Sequence, residues 1–278
     1  MFAGRDLLIA TMHGKEHVIA PVLERELGVK CIVAPDLDTD ILGTFSGEVE
    51  RKEDPITTAR HKCLMAMEVS QCDLAVASEG SFGPHPSVFF IPADDEILLL
   101  MDRRNGIEII SRELSAETNY NGSVISTEEA LGAFAEKAKF PSHGLIIKNA
   151  KEGFTALEKG ITSPEKLYST FKHFISRYGT AFVETDMRAM HNPTRMKAIE
   201  KAANKLVRKI NSLCPICTTP GFGITDAKQG LPCRLCNFPT RSTISYIYTC
   251  QKCAFTKEEV YPDGTLTEDP MYCDVCNP

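Results

Sequence analysis

DLLIATMHGKEHVIAPVLERELGVKCIVA, residues 6–34, is the stretch that decides the fold class. Residues 7–10 form a short apolar run of strand length. A polar, glycine-bearing loop follows over 11–16, then a helical pattern over 18–27 and a second strand over 31–34. The alternation continues with a helix over 55–69, a strand over 74–77, the turn SEGSFGPHP, and strands over 88–91, 97–101 and 107–110. Helices over 128–139 and 164–177 alternate with strands over 144–147 and 181–183. A chain of this kind folds as layers, so residues 1–186 are expected to be an α/β domain with a mixed sheet.

In such sheets the ligand crevice is lined by polar residues just past the carboxyl ends of the strands. Three segments hold that position: TMHGKE at 11–16, SEGSFG at 78–83 and ETDMRAMHN at 184–192. Taken singly they are a helix entry, a turn and an exposed strand end. Together they nominate one crevice, with Thr11, His13, Lys15, Glu79, Glu184, Asp186, Arg188 and His191 as its candidate polar residues. His13 and His191 are candidate proton carriers, although loop histidines are more often ordinary surface residues.

The third segment leads into a helix expected over 193–212. Asn192 suits the N-cap, Pro193 suits the first helical position, and Met196, Ile199, Ala203, Leu206 and Ile210 follow an apolar stripe. Residues 187–212 carry seven Lys and Arg against one Glu, and are read as a basic amphipathic linker helix. Glu184, Asp186, Arg188, His191 and Arg195 are then either an internal salt-bridge set that locks the C-terminal arm or a phosphate or metal site.

Eight of the eleven cysteines form the pairs Cys214/Cys217, Cys233/Cys236, Cys250/Cys253 and Cys273/Cys276, separated by 15, 13 and 19 residues. Two thiolates three apart grip one side of a tetrahedral ion, so four such pairs make two closed four-cysteine zinc sites. Closed sites leave no open position for catalysis, and two structural Zn²⁺ ions are expected in a double zinc-ribbon at 213–278. Sequential use of the pairs, first with second and third with fourth, is slightly the better expectation; interleaved use competes with it. Cys31, Cys63 and Cys72 read as free, buried thiols.

The net charge of −6 argues against wholesale binding to phosphate backbones. Residues 213–278 carry five Lys and Arg against seven Asp and Glu, which makes DNA an unfavourable partner for the zinc module and leaves a protein or RNA contact. The N-terminal apolar run is too short for a secretory segment, and no stretch approaches the roughly 18 apolar residues of a membrane span. A cytoplasmic, non-membrane protein is expected.

ATMHGKE, GEVERKEDP, ITTARHKCLMA, CDLAVASEG and LLLMDRRNGIEII, in that order, resemble the inosine/xanthosine triphosphate pyrophosphatase and Maf superfamily. EKGITSPEKLYSTFKHFI is similar to the late segment of its xanthosine triphosphatase branch. The resemblance implies a Mg²⁺-dependent nucleoside triphosphate pyrophosphatase. Thr11, His13 and Lys15 would then hold phosphate, Glu53 and Glu79 would hold the metal and orient water, and Arg188 or Arg195 would add a phosphate clamp. The family's Thr-x-Asn-x-x-Lys loop is altered here, since His13 replaces the asparagine and Lys15 arrives one residue early. A non-enzymatic α/β module that presents its zinc platform to a protein or RNA is therefore the competing expectation. The whole chain, with ETDMRA, NPTRM and YCDVCNP, also resembles an uncharacterised bacterial protein family with a C-terminal double zinc-ribbon, which supplies no mechanism.

Overall fold

A computed structural model describes residues 1–33 and 53–278. The acidic loop of residues 47–55 lies outside the described residues up to residue 52. The chain divides into two compact units, one made of Met1–Arg104 and Ile110–Val207, the other of Asn105–Ile109 and Arg208–Pro278.

The first unit holds two sheets. One has the order β2-β1-β3-β4-β5, built from β1 (Asp6–Ala10), β2 (Lys30–Val33), β3 (Leu74–Pro84), β4 (Pro92–Asp102) and β5 (Ile107–Ser115). β1 runs parallel to both β2 and β3, and β4 is antiparallel to β3. Leu7, Leu8, Ile9 and Ala10 are all buried, as a central strand covered on both faces requires. α1 (Glu16–Leu27) links β1 to β2, and α2 (Pro55–Ser70) precedes β3. Small residues let α2 approach closely: Ala59, Cys63 and Ala66 pack with Ala10, Ala75 and Ala77. The chain passes from β1 through α1 to β2 at the sheet edge, then through α2 to β3 on the other side of β1.

The other sheet has the order β6-β9-β7-β8, from β6 (Gly122–Ile125), β7 (Leu145–Lys148), β8 (Leu157–Ile161) and β9 (Ala181–Thr185). Its core joins Leu145, Ile147, Ala181 and Val183 to α3 (Glu128–Lys137) and α4 (Pro164–Tyr178). In α4 the buried residues are Leu167, Phe171 and Phe174, the i, i+4, i+7 stripe of an amphipathic helix. Thr127 and Ser163 cap α3 and α4 by accepting bonds from Ala130 N–H and Lys166 N–H.

α5 (Pro193–Asn211) begins where expected, with Asn192 Oδ1 accepting from Arg195 N–H at 3.0 Å. Ile199, Ala203, Leu206 and Ile210 are buried, and Lys197, Lys201 and Lys205 are not.

Two expectations are corrected. SEGSFG is not a turn: β3 continues through it to Pro84. Residues 88–91 are not a strand but part of the turn that closes the β3–β4 hairpin, bracketed by Pro86 and Pro92, with His85 N–H bonded to Ile91 O at 2.9 Å. The expected layered α/β architecture is present, with its strands divided between two sheets; the short, polar β6 and β8 carry too little apolar alternation to be read from the sequence.

The second unit contains β10 (Gly223–Gln229), β11 (Thr243–Thr249) and β12 (Thr256–Val260), an antiparallel sheet in that order. Phe222, Tyr248 and Phe255 supply its small apolar cluster beside Cys214 and Cys250. Among the described residues no helix is long and apolar enough to cross a membrane.

Candidate metal centres and a buried charged site

Cys214, Cys217, Cys250 and Cys253 form one four-thiol cluster, and Cys233, Cys236, Cys273 and Cys276 form another. Pairing is therefore interleaved, first with third and second with fourth, which corrects the sequential expectation. The cause is β10. Its seven residues span about 23 Å as a strand, and they carry the chain from the Cys217 end of the sheet to the Cys233 end. The antiparallel register Gly223↔Thr249 then brings Cys250 back to the first end.

Within each cluster the sulfurs are spaced for a tetrahedral ion. Cys214 to Cys253 is 3.7 Å and Cys217 to Cys250 is 3.5 Å; Cys233 to Cys276 is 3.9 Å and Cys236 to Cys273 is 3.6 Å. Tetrahedral zinc with Zn–S bonds near 2.3 Å sets its sulfurs about 3.8 Å apart. Three of the knuckles share one backbone form. Thr218, Asn237 and Ala254, each just after a second cysteine, have φ of 57°, 59° and 56°, and their N–H groups return to the carbonyls of Cys214, Cys233 and Cys250. Amides also point at sulfur, as in Lys252 N–H to Cys250 Sγ at 3.4 Å, which favours the thiolate that zinc requires.

The α/β unit gathers charge beside the carboxyl end of β1 and the middle of β3. His13 and Gly14 adopt φ of 69° and 76°, and this left-handed pair turns the chain so that Lys15 enters the interior, 4% exposed. Lys15 Nζ donates to Ser78 Oγ at 2.9 Å. Burial, reinforced by Arg195, lowers its pKa to about 7. Lys62 of α2 pairs with Glu79. Arg195, fully buried in the first turn of α5, donates from Nε to Glu96 Oε1 at 2.6 Å and from its guanidinium to Met187 O. Asp94 and Glu96, two apart on β4, share a strand face, where their carboxyl groups interact with each other. Burial, then the neighbouring Glu96, raises Asp94 to about 8. Gly80 faces this group because nothing larger fits: a Cβ there would lie 2.4 Å from Glu96 Oε1.

Lys15, Glu79 and Arg195 lie near one another, with Glu79 inside β3 rather than past its end, and Lys62, Ser78, Asp94 and Glu96 lie with them. Thr11 is buried, its hydroxyl 3.3 Å from Met12 O. Glu53 is exposed and pairs with His61 at 2.8 Å, whereas Glu79 is engaged by Lys62; among the described residues, the groups of three or more side chains spaced to hold a metal are the two cysteine clusters. The remaining members of the third segment have partners inside the α/β unit. Glu184 pairs with Lys148 at 2.6 Å and is raised by burial. Asp186, fully buried, takes a two-point contact from Arg188 and the Gly160 N–H. His191, its pKa lowered by burial, accepts from Gly144 N–H through its carbonyl.

A family profile described as "Domain of unknown function (DUF6671)" matches residues 62–278. No curated protein matches the chain. Among solved structures, the crystal structure of protein VC0702 from Vibrio cholerae is similar at 9% identity and a TM-score of 0.32, over 74% of this chain and 94% of that one.

Proposed function

We propose that this protein, which belongs to the DUF6671 family, binds a phosphate-bearing ligand, a nucleotide or a related compound, in its α/β unit and uses its two four-cysteine zinc sites as structure. The observation that carries this reading is the convergence of three buried cations, Lys15, Lys62 and Arg195, with Glu79, Asp94 and Glu96 beside the carboxyl end of β1 and the middle of β3. Phosphate recognition needs such cations, and perturbed ionisable groups concentrate at functional sites. Lys15 near neutrality changes its charge when an anion arrives, so ligand binding is coupled to proton uptake.

The reaction class that suits these groups is hydrolysis of a phosphoanhydride, as the pyrophosphatase resemblance implies. Mg²⁺ enters this reading only with the ligand, since that ion is commonly held by one or two carboxylates together with substrate phosphates. The zinc module presents Ile216, Leu235 and Val275 at the exposed third position of three knuckles. Those apolar tips, with the module's acidic balance, fit a protein partner better than RNA.

The test is a thermal-shift screen of the zinc-loaded protein with phosphate, tripolyphosphate and nucleotides, with and without Mg²⁺, followed by assay of released phosphate and pyrophosphate. Ligand binding raises apparent stability by mass action even without turnover. No shift with any of these anions would refute the phosphate reading; a shift without release would leave a binding protein rather than an enzyme.

A further inference from the structure

The β3–β4 turn holds two consecutive phenylalanines in water: Phe89 is 77% exposed and Phe90 is 85% exposed. The run is apolar enough to read as a buried strand, yet it is spent on a surface turn. Both rings line a cleft of 870 Å³, within the range of about 300–1,000 Å³ typical of small-molecule sites. Tyr120, Phe182 and Phe82 line the same cleft. Phe82 stacks with Tyr120 at 5.6 Å between centroids, and the Arg195 guanidinium lies 5.1 Å from the Phe82 ring. Phe82 therefore lies both in the wall of the aromatic cleft and against Arg195 of the charged site. Lys137, Lys151 and Glu184 also line it, which makes it too polar for a lipid tail, while its concentration of rings suits a flat partner.

We infer that Phe89 and Phe90 form an aromatic clamp for a nucleobase, so that the ligand of the charged site is a nucleotide rather than a base-free phosphate compound. The inference rests on the phosphate reading above for the ligand's other end. Base stacking on aromatic side chains tolerates many bases, because every base has a π-face. Gly122 contributes by being small: a Cβ there would stand 2.7 Å from the Phe182 ring, so any larger residue would push that ring out of its place in the cleft wall.

The experiment uses the full-length, zinc-loaded protein and its Phe89→Ala, Phe90→Ala and double variants. Each is titrated by calorimetry with tripolyphosphate, ribose 5-phosphate, free nucleosides and nucleotides of the common bases. Both side chains are exposed, so the variants are expected to keep zinc content and Tm. The clamp predicts nucleotides at least tenfold tighter than ribose 5-phosphate, a loss of about tenfold per ring removed, and unchanged tripolyphosphate affinity. Tripolyphosphate binding with no preference for base-bearing ligands overturns the clamp and leaves the phosphate reading standing. Nucleoside binding that depends on Phe89 and Phe90, without tripolyphosphate binding, does the reverse. Self-association lost in the double variant, with nucleotide affinity unchanged, overturns the clamp in favour of a second copy of the chain on this turn.

Discussion

Interleaved zinc ligation makes a prediction that sequential ligation contradicts. Cys217 and Cys250 lie 3.5 Å apart in one cluster, and Cys236 and Cys273 lie 3.6 Å apart in the other, at the far side of a strand of about 23 Å. Each single Cys→Ser change should remove one zinc of two. The Cys217→Ser/Cys250→Ser protein should still hold one zinc, because both changes fall in the same site. The Cys217→Ser/Cys236→Ser protein should hold none, because each site has lost a ligand. Sequential ligation exchanges these two outcomes. Native mass spectrometry gives the stoichiometry directly. A site's binding free energy is on the order of 10 kcal/mol, more than a module with three core aromatics can replace, so the zinc-free double variant should also lose the β10–β12 sheet by circular dichroism. Zero zinc in Cys217→Ser/Cys250→Ser, with one in Cys217→Ser/Cys236→Ser, refutes the assignment.

Asp94→Asn tests the buried carboxyl pair. Because the folded-state pKa of Asp94 is raised from 3.8 to about 8, its protonation favours the fold; this contribution is fully present below 3.8 and lost as pH rises through 8. Wild-type stability relative to Asp94→Asn should therefore fall with pH across that window, by up to about 1.4 kcal/mol per unit, and a flat difference in urea melts at pH 5, 6 and 7 would show Asp94 ionised throughout. Gly80→Ala should cost about 2–3 kcal/mol by driving Glu96 and Arg195 apart, read as a lowered denaturant midpoint; a neutral outcome contradicts the packing. Arg188→Ala strips the two-point contact from fully buried Asp186, which keeps only backbone donors. It should cost about 2–3 kcal/mol while leaving tripolyphosphate affinity intact, and the opposite pattern would place Arg188 in the ligand site.

Part of the charged site was legible because position past a strand end is a local property. Lys15 follows β1 and could be nominated on that ground, whereas Glu79 was nominated as part of an expected turn and lies inside β3. Asp94 and Glu96 were not, although PADDEILLL carries their signal. In β4, alternation sends Asp94 and Glu96 to one face and Asp95 to the other, where it pairs with Arg112 at 2.6 Å. A charged triplet at a strand start reads as solvated edge, and only its register against Gly80 shows that two of its members are inside. Lys62 was hidden for a related reason, since a lysine within a helix is ordinarily a surface residue.

In the opening stretch, residues 6–33, and in the four cysteine knuckles, the sequence by itself determined the outcome. Strand, loop, helix and knuckle depend on hydrophobic period, capping and spacing within a dozen residues. Which knuckles share an ion, which carboxylates are buried, and whether an apolar run such as residues 88–91 ends inside or in water were decided only by tertiary structure. Each depends on a register between strands far apart in the chain, set by the packing of whole faces and by the cost of leaving a charge or a thiolate unpaired.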